Sequence, residues 1–313
     1  MAWFNSKLEN QALEAFDQGN LESASELYLQ AIKEKPLRID FYYMAGLCFK
    51  YLRKWEESLT YNLQAIELND EIDEAAHWNA AIAATALGKW DIARKVWNAV
   101  GMPITEGEGE IVENFGFAVI YLNPWGAGET LFAERIDPVR ARIVNVPFPK
   151  SGHRYGDIVL HDGAPIGQRE AQGQTFTIFN EMQVLERSPY LTYNVTVTAE
   201  SPEDSAALTE LVEPTGGMAE DWTRTTSYLC KKCSYGVPHD DDDHDHDLAA
   251  EDQWVTEREF GIGMASREKL DEILLEWEAN GPGRRVIDIT LEEYPLPEPE
   301  DGQTWWLGLD GEH

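Results

Sequence analysis

The sequence predicts a multidomain α + (α+β) chain. It comprises an N-terminal array of paired helices (residues 1–102), a small barrel-like β region (103–190), an α+β domain (191–296) and an acidic tail (297–313). Three observations predict it. A helical pattern repeats at an offset of 34 residues as far as residue 102, apolar residues alternate after Gly101, and a strand followed by a serine-capped helix occurs twice after Leu191. A chain of 313 residues is long enough for two or three separate cores.

The first window carries Ala24, Tyr28 and Ala31 followed by Pro36, and the second carries Ser58, Asn62 and Ala65 followed by Asp70. A third aligns Gly88, Ala93, Trp97 and Val100 with Gly19, Ala24, Tyr28 and Ala31. Gly46 and Ala81 stand where two helices must cross closely, and a bulky side chain there would overpack the crossing by about 1–3 kcal/mol. On these residues, positions 1–102 resemble the tetratricopeptide repeat (TPR) family, with three repeats. The departures are a third unit without its closing proline and Arg53 in place of the second unit's turn glycine. The resemblance implies a stacked array whose concave face holds a peptide or protein, with Tyr42, Phe49, His77 and Asn79 as exposed partner-binding candidates.

In the β region, strands are expected at Phe115–Leu122, Thr130–Arg135, Ala141–Val146, Asp157–His161 and Thr175–Phe179, separated by proline and glycine turns. Ser151, His153, Asp157, His161 and Asp162 invite a hydrolase reading. Ser151 lacks the Gly-x-Ser-x-Gly elbow, however, and Asp162-Gly163 reads as a turn, so no catalytic residue is assigned. The run from Glu134-Arg135-Ile136 through Asn145-Val146-Pro147 to Leu160 resembles uncharacterised bacterial proteins in which a small barrel precedes an α+β domain. Proteins that join a repeat array to such a barrel also look like immunity proteins of bacterial toxin systems.

In the α+β domain, Thr192–Ala199 alternates as a strand and Ser201-Pro202-Glu203-Asp204 opens a helix with a serine cap, a first-turn proline and acids on the helix dipole. Glu259–Ala265 and Ser266 repeat the plan, with Leu270, Ile273, Leu274 and Trp277 as the buried helical stripe, and Arg285–Leu291 closes it with Ile287, Ile289 and Leu291 on one face. Taking Ser227–Cys230 as the remaining strand gives a β-α-β-β-α-β order, which is the ferredoxin-like arrangement.

Residues 230–250 form a Cys/His/Asp insertion. Cys230 and Cys233 are spaced to grip one zinc ion, with two of His239, His244 and His246 completing a tetrahedron. A solvated loop and a redox pair are the competing readings. Trp305-Trp306 in the tail are expected to dock back on a domain surface.

Function classes follow from charge. Asp and Glu number 57 against 25 Lys and Arg, a formal net charge of −32, mostly carried after residue 102. That sign excludes a bare phosphate backbone as partner and favours a basic protein. Three cysteines, no apolar run long enough to span a bilayer and no signal-peptide pattern in Met1–Asn20 point to the cytoplasm. The expectation is a non-catalytic protein-binding molecule, an immunity protein against a basic toxin being one form of it. The alternative is a metal-dependent enzyme or a metal or redox sensor that uses the insertion together with His153, His161 and Asp162, with zinc as its cofactor.

Overall fold

A computed structural model describes residues 7–126, 128–171, 173–225 and 254–307 of the protein. Six helices come first: α1 (Lys7–Asp17), α2 (Leu21–Glu34), α3 (Ile39–Tyr51), α4 (Trp55–Leu68), α5 (Glu74–Ala86) and α6 (Trp90–Ala99), each packed on its predecessor. Their surfaces tell which lie inside. The amphipathic α6 buries only Ala93, Val96 and Trp97, whereas eight side chains of α3 and nine of α5 are buried. A helix apolar on most of its circumference needs cover on more than one side. Here α3 is covered by α2, α4 and α5, and α5 also meets the β region. Asp73 caps α5 by accepting a hydrogen bond from the Ala76 amide at 3.1 Å. Within α3, burial pushes the Cys48 thiol up to about 12, so it acts as a small apolar filler.

The β region closes into a five-stranded barrel, β1 (Phe117–Tyr121), β2 (Thr130–Arg135), β3 (Arg140–Ile143), β4 (Ile158–Ala171) and β5 (Gln174–Glu186), with β1 and β5 joined in parallel. Strand alternation divides its residues between two cores. Val159 points into the barrel with Ile120, Ile143 and Phe179, while its neighbour Leu160 points out into the apolar cluster of the helices, as do Val139 and Met182. Asp162-Gly163, expected as a turn, lies in mid-strand, where the β4/β5 register shifts repeatedly between Leu160 and Gly167. A bulge of this kind redirects side chains without ending the strand.

The third region is a four-stranded antiparallel sheet ordered β7-β8-β6-β9. Its strands are β6 (Leu191–Thr198), β7 (Met218–Asp221), β8 (Glu257–Met264) and β9 (Arg285–Glu292). Helix α7 (Pro202–Val212), the one-turn α8 (Trp222–Thr225) and α9 (Arg267–Ala279) complete it. Ser201 and Ser266 cap α7 and α9 as their positions predict, accepting from Asp204 and Lys269 amides. Leu208, Val212, Leu270 and Trp277 then pack on Tyr193, Val195 and Phe260 in a core of their own.

The expected fold class is corrected on two findings. First, the TPR expectation was of a stacked array whose concave face holds a peptide or protein, the alternative being an array that only packs on the following domain. Instead the helices share one apolar cluster with barrel residues and with Trp305 and Trp306 of the tail. Second, the ferredoxin-like expectation rested on Ser227–Cys230 as second strand. The strand in that place is Met218–Asp221, which follows α7 after one short turn, and Ser227–Cys230 lies outside the described residues. What stands in their place is a helical N-terminal region, a closed barrel and a four-stranded sheet, with eight helices of ten residues or more among the described residues. The predicted apolar face of β9 also changes. A register shift opposite Thr196/Val197 leaves Ile287 51% exposed, while Val286 and Ile289 reach the core.

The tail lies as a strap over the helix–barrel junction. Trp306 stacks on Tyr51 with ring centroids 4.7 Å apart, Trp305 meets Trp125 edge-on at 5.4 Å, and the Trp125 indole donates to the Pro297 carbonyl at 3.0 Å. No helix among the described residues is long and apolar enough to cross a membrane.

Candidate functional site

Helical spacing assembles the site. Tyr43, Leu47 and Lys50 fall at i, i+4 and i+7 on α3, and Ala75, Trp78, Asn79 and Ile82 at i, i+3, i+4 and i+7 on α5. These stripes and the β4 bulge at Asp162–Ala164 enclose a cleft of about 550 Å³. Its floor is an ion pair. Lys50 Nζ lies 2.8 Å from Asp162 Oδ1, with side-chain exposures of 4% and 7%. Such a pair needs both partners, since either charge alone would be stranded out of water. The bulge can approach α5 because residue 163 is glycine, where a Cβ would stand 2.4 Å from the Trp78 ring. Trp78 is in turn held edge-on against Trp97 at 4.8 Å.

Tyr43 also borders a second, more open cleft of about 500 Å³ that runs to Leu37, Asp40 and Asp73. Burial raises the Tyr43 phenol above its ordinary value, so it is a neutral hydroxyl at physiological pH. Arg38 is held by Asp40 at 2.6 Å and by Glu9 at 3.8 Å, and Lys50 by Asp162, so the cations near the paired clefts are already matched. Asp73 and Glu74 add carboxylates at the rim. Leu37 stands at the far end with 82% of its surface exposed.

Of the four residues expected to be exposed on a partner-binding face, three are buried. Phe49 (7% exposed) stacks on Tyr61 at 5.5 Å, His77 (7%) sits with Nδ1 2.6 Å from the Asp73 carbonyl, and Asn79 (5%) borders the first cleft. Tyr42 is half-buried and donates to the Pro36 carbonyl at 3.0 Å. The correction has a simple geometric form. The cleft uses Tyr43, Lys50 and Trp78, each one residue after Tyr42, Phe49 and His77, a rotation of about 100° around the helix axis.

The serine, histidine and aspartate residues of the barrel disperse into structural roles. Ser151 Oγ donates to the Phe148 carbonyl at 2.8 Å and makes no hydrogen bond with the His153 ring. His153 Nε2 instead meets Glu181 Oε1 at 2.7 Å, and Glu181 Oε2 accepts from the Asn123 amide at 2.9 Å. Burial disfavours the His153 imidazolium, but the Glu181 carboxylate and the hydrogen bonds to it outweigh burial and hold its pKa above the ordinary value. Asp157 accepts from the Arg154 and Ser188 amides and pairs with Arg187 at 2.7 Å. His161 is fully buried, stacked on Phe179 at 4.6 Å. Burial, with Arg135 nearby, pushes its pKa down to about 3. With the Asp162 carbonyl 2.8 Å from Nδ1, the neutral ring carries its proton there.

The predicted zinc ligands Cys230, Cys233, His239, His244 and His246 lie outside the described residues. Among the described residues no group of three or more His, Cys, Asp or Glu side chains is arranged to hold a metal ion. No local sequence pattern marks Tyr43, Lys50 and Trp78 as lining one cleft. No protein-family model matches the chain, and no curated protein matches it in sequence.

Proposed function

We propose that this is a non-catalytic, cytoplasmic protein-binding molecule whose α3/α5 clefts receive a basic, apolar-anchored segment of a partner protein. One observation carries the reading. Two adjoining clefts share Tyr43, are rimmed by Asp73, Glu74 and the Arg38–Asp40 pair, and end at the solvent-exposed Leu37. An apolar side chain of the partner would cover Leu37 while its lysines or arginines meet the rim. The net charge of −32 would speed encounter with such a partner and oppose an acidic one.

The test uses a fluorescent peptide of alternating leucine and lysine turns and an acidic peptide of the same pattern, titrated with the full chain at low and high salt. The basic peptide should saturate at low salt and weaken as salt rises. Glu74→Lys should weaken it further, and Leu37→Asp should remove the apolar anchor, each by about tenfold. Equal binding by both peptides, or variants that bind as the parent does, would overturn the reading.

A further inference from the structure

Among the described turns that join one helix directly to the next, three carry a left-handed residue and one departs from the others. Gly19 between α1 and α2 and Gly88 between α5 and α6 have φ of 76° and 65°, whereas the α3–α4 turn places Arg53 at 56°. Asn123, two residues after β1, is the other non-glycine residue with positive φ among the described residues, at 48°. Asparagine enters this region readily, but an arginine there is uncommon and is held by its surroundings. Both residues border one cavity of about 470 Å³, closed on its third side by Leu296–Glu298 of the strap. That volume is within the range of small-molecule sites, ~300–1,000 Å³.

The cavity has walls of opposite character. On one, the Arg53 guanidinium lies 5.5 Å from the centroid of the Trp125 ring and pairs with the Glu298 carboxylate at the rim. That pairing demonstrates that a carboxylate fits on Arg53. Only one of the guanidinium's five N–H donors is needed for it. On the other wall, Asn123 is 2% exposed and donates through Nδ2 to the Ser151 carbonyl at 2.9 Å, leaving Oδ1 buried with no partner. Glu181 lies beside it. An acceptor out of water and without a donor is costly, so a ligand that brings N–H groups is favoured there.

We propose that this cavity binds a small zwitterion of the α-amino acid class. The ligand carboxylate joins Glu298 on Arg53 or replaces it, and the ligand ammonium donates to Asn123 Oδ1, beside Glu181, whose oxygens already engage His153 and the Asn123 amide. The strap supplies the third wall, so binding ties the tail more firmly to the helix–barrel junction. This site is separate from the α3/α5 clefts, and its test leaves that reading untouched.

The experiment is a calorimetric titration of the full chain with the common amino acids, and with acetate, methylammonium and amino acids blocked at either end. At least one free amino acid should bind with one-to-one saturation, and blocking either end should weaken it by about tenfold or more. Arg53→Gly restores the residue found at the two sister turns, so it should fold with a melting temperature close to the parent's and lose binding. Asn123→Gly, also compatible with positive φ, removes the orphaned oxygen and should lose binding as well. The proposal is overturned if no amino acid gives saturable heat, if blocked compounds bind as well as free ones, or if either folded variant keeps the parent's affinity.

Discussion

The helix–barrel seam and the barrel–sheet seam are built from different materials. Across the first, apolar side chains of α1–α6, of the outer barrel and of the strap form one cluster, with the Lys50–Asp162 pair inside it and Arg140, 2% exposed, held between Asp137 and the Trp90 ring. Across the second, the sheet keeps its own core and meets the barrel through side-chain contacts. These include Asn145 to Glu220 at 2.5 Å, Arg154 to Glu293 at 2.8 Å and the Trp222 indole to the Val146 carbonyl at 3.4 Å, together with the Phe148 ring against Trp222 at 5.2 Å and Tyr155 packed on Gly263. A shared core makes two regions one cooperative unit, whereas regions with separate cores can unfold separately. The physical boundary therefore lies near residue 190 and not near residue 102.

The largest expected effect tests the shared core. Trp306 is 7% exposed and packed on Tyr51 and Phe16, so Trp306→Ala should destabilise the helix–barrel unit by about 3–5 kcal/mol. Hydrogen exchange should show amides of α1–α6 and the barrel losing protection together while α7 and α9 keep theirs. Uniform loss across all three regions would erase the distinction between the seams. Next comes the buried ion pair. Lys50→Met strands Asp162 and should cost about 3 kcal/mol, while Lys50→Met with Asp162→Leu should recover most of it. Denaturant midpoints of the two variants check this, and a double variant no better than the single one would mean that the pair is worth more than its desolvation.

Legibility followed the same division. In the sheet region, strand alternation and the serine caps are local signals, and β6, α7, β8 and α9 fall within a few residues of their expected places. The missed strand, Met218–Asp221, is four residues long and carries two acids, too short and polar to show a period of two. The helices were equally legible from their spacing. Their faces were not, because α3 and α5 are apolar almost all round and the sequence alone does not say which side meets the barrel. The cleft is lined by Tyr43, Lys50 and Trp78, each one residue beyond the expected Tyr42, Phe49 and His77, and by the expected Asn79. Lys50–Asp162 and His153–Glu181 join residues 112 and 28 positions apart, and no local pattern announces such pairs. Arg53 was the exception, since an arginine in a glycine's place stands out within the repeat itself.

A smaller effect concerns pH, with opposite signs at two buried histidines. His161 has a folded pKa near 3 against an ordinary value of 6.5. The unfolded chain therefore binds the extra proton between those values, and stability falls as pH drops through that window. His153 has a raised folded pKa, so its pairing with Glu181 stabilises fully below 6.5 and is lost as pH rises through the raised value. Urea unfolding at a series of pH values should show His161→Gln flattening the acid-side decline and His153→Gln flattening the decline on the alkaline side. Slopes of the same sign for both variants would contradict the protonation states assigned to them.

The smallest effect belongs to the barrel–sheet seam and is the sharpest discriminator between the two. Arg154 and Glu293 are 24% and 55% exposed, so water already solvates both charges and competes with the pair. Arg154→Ala should then cost no more than about 1 kcal/mol. It should leave the protection of α7 and α9 unchanged, because their packing on β6 and β8 does not pass through the barrel. A loss comparable to that of Trp306→Ala would mean that the sheet draws its stability from the barrel after all, and that the boundary near residue 190 is no more physical than the one near residue 102.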